Sequence, residues 1–586
     1  MGTVLAAPGD TVYVNGSGGQ DTNDGSSWLS AKQSIKNATG TVNSNGTVNI
    51  ANGQYTGDNN TKIIIDKNMT IHGQSQKETI INGTNTNWIF SINSSINVVI
   101  NNLSITNGNS SSAGIIYNKG TLTIDNSTFT NNTVQYGNGG AIYNWEGATL
   151  TVTGSTFTNN SATNSFGDSS GGAIYNFGTL NVTGSNFANN TATRGGDIFN
   201  GIGTSTITGC NFTATRGGAI CNDMDGIVNA HFNRIVRDNE LSYGNVVFNY
   251  DYVDSTIDAS LNWWGSNEDP RGFVYGSVNV TPWLVLTVTS NPNTIPNSYN
   301  STITADFLHD SNGVLHDPYN GHILDEILVT FNSTLGTMGT PSRMVNGVSH
   351  ATLHAGTVSG QATVSAKLDN QTVKRLVTIK DTIPPTVKTI DPANNAVNVP
   401  ANKVIKLTFS EPIKAGNMWI ELKNSSGKLI SITKTISTNV LTINHSTPLT
   451  TGKYTLTLHT GSITDLAGNP LALKVSSFTV DSTPPKVSST TPSNLKTGVS
   501  RTSNITIKFS EYIKTSSYFN NITIKNIATG KYLTLARTIS GNTLNIKNST
   551  KSANTWYLVT IPKAAIKDYA SNNLVANYTF KFKTGA

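Results

Sequence analysis

Residues 113–132 read AGIIYNKGTLTIDNSTFTNN, and the phrase returns as GGAIYNWEGATLTVTGSTFTNN (139–160), GGAIYNFGTLNVTGSNFANN (171–190), GGDIFNGIGTSTITGC (195–210) and GGAICN (217–222). Ile116, Ile142, Ile174, Ile198 and Ile220 recur at intervals of 26, 32, 24 and 22 residues. A unit of that period is a supersecondary brick, too small to bury a core alone but able to do so when stacked on copies of itself. Each unit holds two short alternating runs, Ile-Tyr-Asn and Thr-Leu-Thr-Val in type, followed by a phenylalanine (Phe129, Phe157, Phe187, Phe212). Gly and Asn punctuate the runs and no helical period of 3.6 appears. The pattern predicts a right-handed parallel β-helix over the first half of the chain.

Stacked rungs of such a coil lie about 4.8 Å apart, so equivalent side chains sit above one another. The isoleucines form an inner column, and Asn118, Asn144, Asn176, Asn200 and Asn222 form another at a turn. Stacked asparagines bond amide to amide, as in cross-β ladders, and tolerate the left-handed backbone of tight corners. These asparagines read as structural corners, not ligands.

Working outward, residues 10–40 hold DTVYVN and then DGSSWLSAKQSIKNA, which reads as a short amphipathic helix with Trp28, Leu29, Ala31 and Ile35 on its apolar side. Such a helix would cover the open end of the solenoid, where strand edges are otherwise unpaired. Less regular rungs follow from Thr41, and a solenoid over about residues 41–262 would hold roughly nine turns. LNWWGSNEDPRG (261–272) and VNVTPWLVL (278–286) break the pattern. Trp263, Trp264 and Trp283 are expected to plug the far end of the apolar interior; the alternative is an aromatic carbohydrate-binding patch.

Beyond Leu286 the texture becomes alternating strands with Pro and Gly turns, the signature of a β-sandwich. DTIPPTVKTIDPANNAVNVPANKVIKLTFSEPI (381–413) then aligns without gaps to DSTPPKVSSTTPSNLKTGVSRTSNITIKFSEYI (481–513), and the copies continue to DLAGN (465–469) and DYASN (568–572). The diprolines at 384–385 and 484–485 hold an extended lead-in to each copy. The predicted architecture is all-β: a right-handed parallel β-helix followed by three Ig-like β-sandwich domains. Its boundaries are 1–40 (strand and capping helix), 41–285 (solenoid with its tryptophan cap), 286–380, 381–481 and 482–586.

The net charge of +6 conceals an asymmetry. Residues 1–285 carry 11 Lys+Arg against 19 Asp+Glu, whereas residues 381–586 carry 23 against 8. The basic half suits an anionic partner such as an acidic wall polymer or a lipid surface, or simply solvates strand faces and keeps edges from aggregating. The lysines are spread over alternating strands with no nucleic-acid motif, which argues against nucleic acid. Two cysteines in 586 residues cannot staple the fold. Cys221 occupies the column of Tyr143, Tyr175 and Phe199, and Cys210 that of Ser155 and Ser185, with a bridge between the two left open. No apolar run is long enough to span a membrane. Ala6-Ala7 ahead of Pro8 reads as the remnant of a signal-cleavage region, and sequons at Asn37, Asn68, Asn82, Asn126, Asn131 and Asn211 fit an exported glycoprotein.

Three groups of residues carry candidate chemistry. His309, Asp310, His316, Asp317 and His322 offer metal-binding side chains, but at no standard zinc spacing, so a polar loop is the favoured reading. Six of the eight acids in residues 381–586 form two matched triplets, Asp381, Glu411, Asp465 and Asp481, Glu511, Asp568. Oxygen ligands from separated loops could hold Ca²⁺. The favoured alternative has the aspartates shaping turns and each glutamate paired with a lysine. Arg194, Asp197, Arg216 and Asp223 are the best catalytic cluster, with the two arginines at equivalent positions and Asp197 able to bond either. A salt-bridged corner explains them more simply than an active site.

The GGAI and FxxN pair in 139–160 and 171–190 resembles the repeats of polymorphic outer-membrane adhesins. With NWWG near the solenoid's end and sandwich modules after it, the layout is similar to the adhesin-like surface proteins of methanogenic archaea. The DxxPP…FSE…DxAGN modules resemble bacterial Ig-like domains of S-layer and other surface proteins. The resemblance implies a non-enzymatic extracellular adhesin or envelope component, S-layer-like, binding surface glycans, cell-wall polymers, other cells or like subunits. The alternative, a polysaccharide lyase or glycosidase, needs paired carboxylates flanking the scissile bond, or aspartate with Ca²⁺ and a basic residue, on adjacent rungs.

Overall fold

The structure is a computed structural model and describes residues 10–164, 167–236, 246–250 and 254–586; the Ala6-Ala7 segment lies outside them. The chain divides into two compact units, Met1–Lys380 and Asp381–Ala586. Among the described residues, no helix is long and apolar enough to cross a membrane.

In the first unit, successive rungs each give one strand to three parallel sheets of eleven, nine and eight strands. The register follows the repeats: Leu122, Leu150 and Leu180 pair in one sheet, Ile116, Ile142, Ile174, Ile198 and Ile220 in the second, and Phe129, Phe157, Phe187 and Phe212 in the third. Alternation explains which side faces in. In Thr149–Thr153, Leu150 and Val152 are buried while the threonines face outward. The four phenylalanine rings stack with centroids 4.8, 5.0 and 5.0 Å apart. Each is fully enclosed, worth about 1.5–3 kcal/mol per ring by area.

The eleven-stranded sheet begins at Thr11–Val14, ahead of the helix, and ends at Val278–Asn279. The helix itself starts later than its apolar residues suggest. Ser34 accepts a hydrogen bond from the Asn37 N–H as N-cap of Ile35–Thr41, and Ile35, Ala38 and Val42 join the solenoid core. Trp28 and Leu29 sit instead on a separate 3₁₀ turn, with Leu29 99% exposed.

The first sandwich belongs to the same unit. Leu284–Asn291, Asn300–Asp310, Val348–His354 and Thr337–Met338 form one sheet. Thr294–Pro296, Gln371–Lys380, Gly360–Leu368 and Thr330–Ser333 form the other. The tryptophans behave differently from a simple plug. Trp264 enters the solenoid core and Trp283 packs against it, partly buried. Trp263, the next residue along, points the other way into the sandwich core, edge-on to Phe307 at 4.7 Å. With Trp263 and Trp264 buried, no three-tryptophan carbohydrate patch exists here.

A buried polar joint fixes this arrangement. Arg234 on a solenoid strand forms a bidentate pair with Asp369, on the turn between the last two sandwich strands. The Trp263 indole N–H donates to the same carboxylate at 2.7 Å. The Arg234 and Asp369 side chains are 15% and 7% exposed.

The second unit holds two similar sandwiches. In the first, Val387–Asp391, Ile405–Phe409, Val440–His445 and Ile432–Ser437 face Ala396–Val399, Lys474–Val480, Gly452–Leu458 and Ile420–Asn424. A two-stranded ribbon pairs Ile413–Ala415 with Ile463–Asp465, and its counterpart pairs Lys514–Thr515 with Ile566–Lys567. These ribbons bring the DLAGN and DYASN turns beside the FSE segments.

Candidate functional site

The asparagine column forms a continuous buried ladder. Asn118, Asn144, Asn176 and Asn200 each donate Nδ2 to the Oδ1 of the next, at 2.7, 2.7, 2.7 and 2.8 Å, and Asn222 continues to Asn249 at 3.2 Å. Each amide also closes its own corner, as where the Gly178 N–H donates to Asn176 Oδ1. All are fully buried. They hold backbone and one another, leaving no group for a ligand.

A second ladder escaped the sequence reading. Asn132 donates to Asn160 and Asn160 to Asn190, at 2.9 and 3.0 Å. Its signal is the second asparagine of each Asn-Asn pair; the first, at 131, 159 and 189, takes a left-handed φ of 55–56°. The next repeat has Ala214-Thr215 there, and Asp197 fills the missing acceptor. Asn190 Nδ2 donates to Asp197 Oδ1 at 2.8 Å, and Thr215 Oγ1 donates to Oδ2 at 2.5 Å.

Asp197 therefore bonds neither arginine. Arg194 pairs with Asp223 at 2.8 Å, and its guanidinium lies over Phe199. Nor do the arginines stack: Arg216 bridges Thr191 while Arg194 bridges Ser170. The loop after Ala214-Thr215 is shorter than the one after Asn189-Asn190, so matching by the following Gly-Gly misplaces Arg216 by its backbone register. Asp197 and Asp223 are 0% and 2% exposed, so neither carboxylate is presented to solvent. The cluster is a salt-bridged corner beside a ladder end.

Burial pushes the Asp197 carboxyl from 3.8 up to about 7, with the Thr215 and Asn190 hydrogen bonds opposing. Between those values the folded chain binds a proton that the unfolded chain releases. This stability is present below pH 4 and is lost as pH rises through 7, up to ~4 kcal/mol at about 1.4 kcal/mol per unit. Asp197→Asn is expected to raise the melting temperature of the 1–380 unit at pH 8 and change it little at pH 4, as read by calorimetry in the full chain.

In the second unit each acidic triplet converges, with ligand oxygens within 4.8 Å of one another. The aspartates also shape their turns. Asp465 accepts from the Gly468 and Asn469 N–H groups at 2.6 and 2.8 Å, and Asp568 from the Asn572 N–H at 2.8 Å. The lysine expected beside each glutamate is absent among the described ion pairs, none of which involves Glu411 or Glu511. Burial, then Asp481 and Asp568, push Glu511 from 4.5 up to about 7. Repulsion thus grows as pH rises from 4.5 through 7, so Glu511→Gln is expected to stabilise residues 381–586 at pH 8. Melting with Ca²⁺ or with chelator checks the cation reading: Ca²⁺ held by the carboxylates would stabilise the parent more than Glu511→Gln.

The histidines of the first sandwich do not converge. His316 pairs with Asp310 at 2.9 Å, His309 with Asp306 at 3.1 Å and His322 with Asp325 at 3.5 Å. Among the described residues the acidic triplets are the only groups of three or more potential metal ligands. Cys210 and Cys221 are free, buried in separate clusters, so no bridge joins them.

Residues 381–480 and 481–584 each match the bacterial Ig-like domain family. By their paired sheets and this match, both are Ig-like β-sandwich domains. No curated protein matches the chain. Among solved structures, the Yersinia pseudotuberculosis adhesin InvE is similar at 18% identity over 44% of this chain and 72% of that one, with a TM-score of 0.23. The Escherichia coli adhesin FdeC is similar at 13% identity over 51% and 96%, with a TM-score of 0.27. Invasin, a bacterial integrin-binding protein, is similar at 16% identity over 52% and 61%, with a TM-score of 0.24.

Proposed function

We propose that this chain is an extracellular, surface-displayed binding protein of the adhesin type. The observation that supports the reading is the combination, in one chain, of a repeat-built parallel β-helix and two bacterial Ig-like domains. A solenoid built of repeats presents a long lateral surface of its own, which suits attachment better than chemistry. Its partners on this reading are surface glycans, cell-wall polymers, other cells or like subunits. The finer reading, a glycosylated S-layer-associated protein of methanogen type, rests on the repeat motifs and sequons alone. A lyase or glycosidase is disfavoured at Arg194, Asp197, Arg216 and Asp223, where both carboxylates are buried.

The test is binding of the full chain to a glycan array and to isolated cell walls, with mass spectrometry of released products. Binding without chain shortening supports an adhesin. Shortening of any polysaccharide makes the chain an enzyme and overturns the proposal.

A further inference from the structure

The outward column of the nine-stranded sheet runs Ile64, Ser91, Tyr117, Tyr143, Tyr175 and Phe199 on successive rungs. From Tyr117 to Phe199 each rung carries a ring, with centroids 5.2, 4.7 and 5.0 Å apart. Tyr143, Tyr175 and Phe199 are 9%, 6% and 1% exposed, so that end of the column is covered. The other end is open because Ser91 stands where its neighbours carry bulk. Its small side chain leaves a hollow of about 480 Å³, walled by Trp88, Tyr117, Tyr143 and Trp145 and edged by Ser110 and Ser112.

Several features say what this hollow fits. Its aromatic walls meet at different angles: Trp145 lies edge-on to Tyr117 at 5.8 Å and is stacked with Tyr143 at 5.7 Å. Trp145 remains 42% exposed, so that the hollow keeps an aromatic face in water. Serine hydroxyls lie among the rings, and burial raises Tyr117 and pushes Tyr143 up to about 12, so both phenols keep their protons and can donate. None of the residues lining the hollow is charged; the Lys119 ammonium lies beside it, 5.0 Å from the centroid of the Tyr117 ring. Apolar faces with interspersed donors and acceptors complement a pyranose ring, whose C–H face stacks on aromatics while its hydroxyls take hydrogen bonds. The charge balance selects among sugars: a lining without charge, with one lysine beside Tyr117 in a solenoid region of 19 acids against 11 basic residues, matches an uncharged ring better than an acidic one.

We infer that this hollow binds an uncharged hexopyranose unit of a surface polysaccharide, with Trp145 and Tyr117 as its stacking platforms. The inference rests on the adhesin reading and gives it a location and a ligand class. Rungs that rise by about 4.8 Å advance by roughly one pyranose unit, so a chain running along the column would keep its rings in step with the rungs.

The test uses the full chain against gluco-, manno- and galacto-configured tetrasaccharides, and against uronic-acid tetrasaccharides, by tryptophan fluorescence and calorimetry. At least one uncharged tetrasaccharide is expected to bind, and Trp145→Ala and Tyr117→Ala are each expected to weaken it about tenfold or more, the usual loss of an aromatic anchor. Tyr319→Ala, removing an 88% exposed ring in the first sandwich, is expected to leave binding unchanged. Because Trp145 is half exposed, its replacement should leave the melting temperature unaltered, separating lost binding from lost fold. Binding that survives Trp145→Ala, binding of uronic-acid sugars alone, or no binding up to saturating tetrasaccharide would each overturn the inference. If the parent chain still attaches to cell walls in those cases, the adhesin reading survives; if it attaches to nothing, both fall.

Discussion

Asp369→Ala is expected to cost the first unit about 3–5 kcal/mol, the usual loss when one partner of a buried ion pair is removed. The carboxylate takes two donors from Arg234 and a third from the Trp263 indole, so its loss strands a mostly buried guanidinium and a buried N–H together. Among the described residues, the Asn211 oxygen, 2.6 Å from Nη1, is the hydrogen-bond partner that would remain to Arg234. Asp369 also has a φ of 52°, which alanine adopts at a cost and asparagine tolerates. Asp369→Asn should therefore carry most of the loss, and the remainder to alanine reports backbone strain. Calorimetry on the full chain is the suitable measurement, because the 381–586 transition serves as an internal reference and a single two-state fit does not apply. A loss below about 1 kcal/mol would mean that the pair behaves as a surface salt bridge.

Asn176→Ala is expected to cost about 3 kcal/mol or more. It removes the acceptor of Asn144 Nδ2, the donor to Asn200 Oδ1 and the acceptor of the Gly178 N–H in one step. Each buried group left unpaired costs about 1–3 kcal/mol, and the emptied volume adds to it. Asn118→Ala should cost less, because the strand before it offers Ile92 at that position and no amide donates to Asn118 from that side. Equal losses at the two sites would show that each asparagine acts only on its own corner. The measurement is again the 1–380 transition by calorimetry.

The β-helix was legible because its information is repeated. One rung's alternation is ambiguous, but the same alternation at Ile116, Ile142, Ile174, Ile198 and Ile220 admits one stacked solution. The tandem Ig-like sandwiches were legible for the same reason, through the gapless match of 381–413 to 481–513. Readings that leaned on a single copy fared worse. Trp28 and Leu29 look like the apolar side of a helix, yet Ser34 caps the helix after them and leaves both outside. Trp263 and Trp264 look like a matched pair, but adjacent residues of extended chain point to opposite sides, so they serve different cores.

The amino-acid sequence by itself determined the rungs, the columns that stack between them and the tandem sandwiches, since each follows from local periodicity copied along the chain. Only the tertiary structure decided which residues meet across unequal loops. The Arg234–Asp369 pair spans 135 residues with no motif to announce it. The bond from Asn190 to Asp197 arises where a shortened repeat leaves a ladder without its next amide. The hollow above Ser91 exists because one rung places a small side chain between larger ones. Such contacts depend on register and loop length in three dimensions, and neither leaves a periodic trace in the sequence.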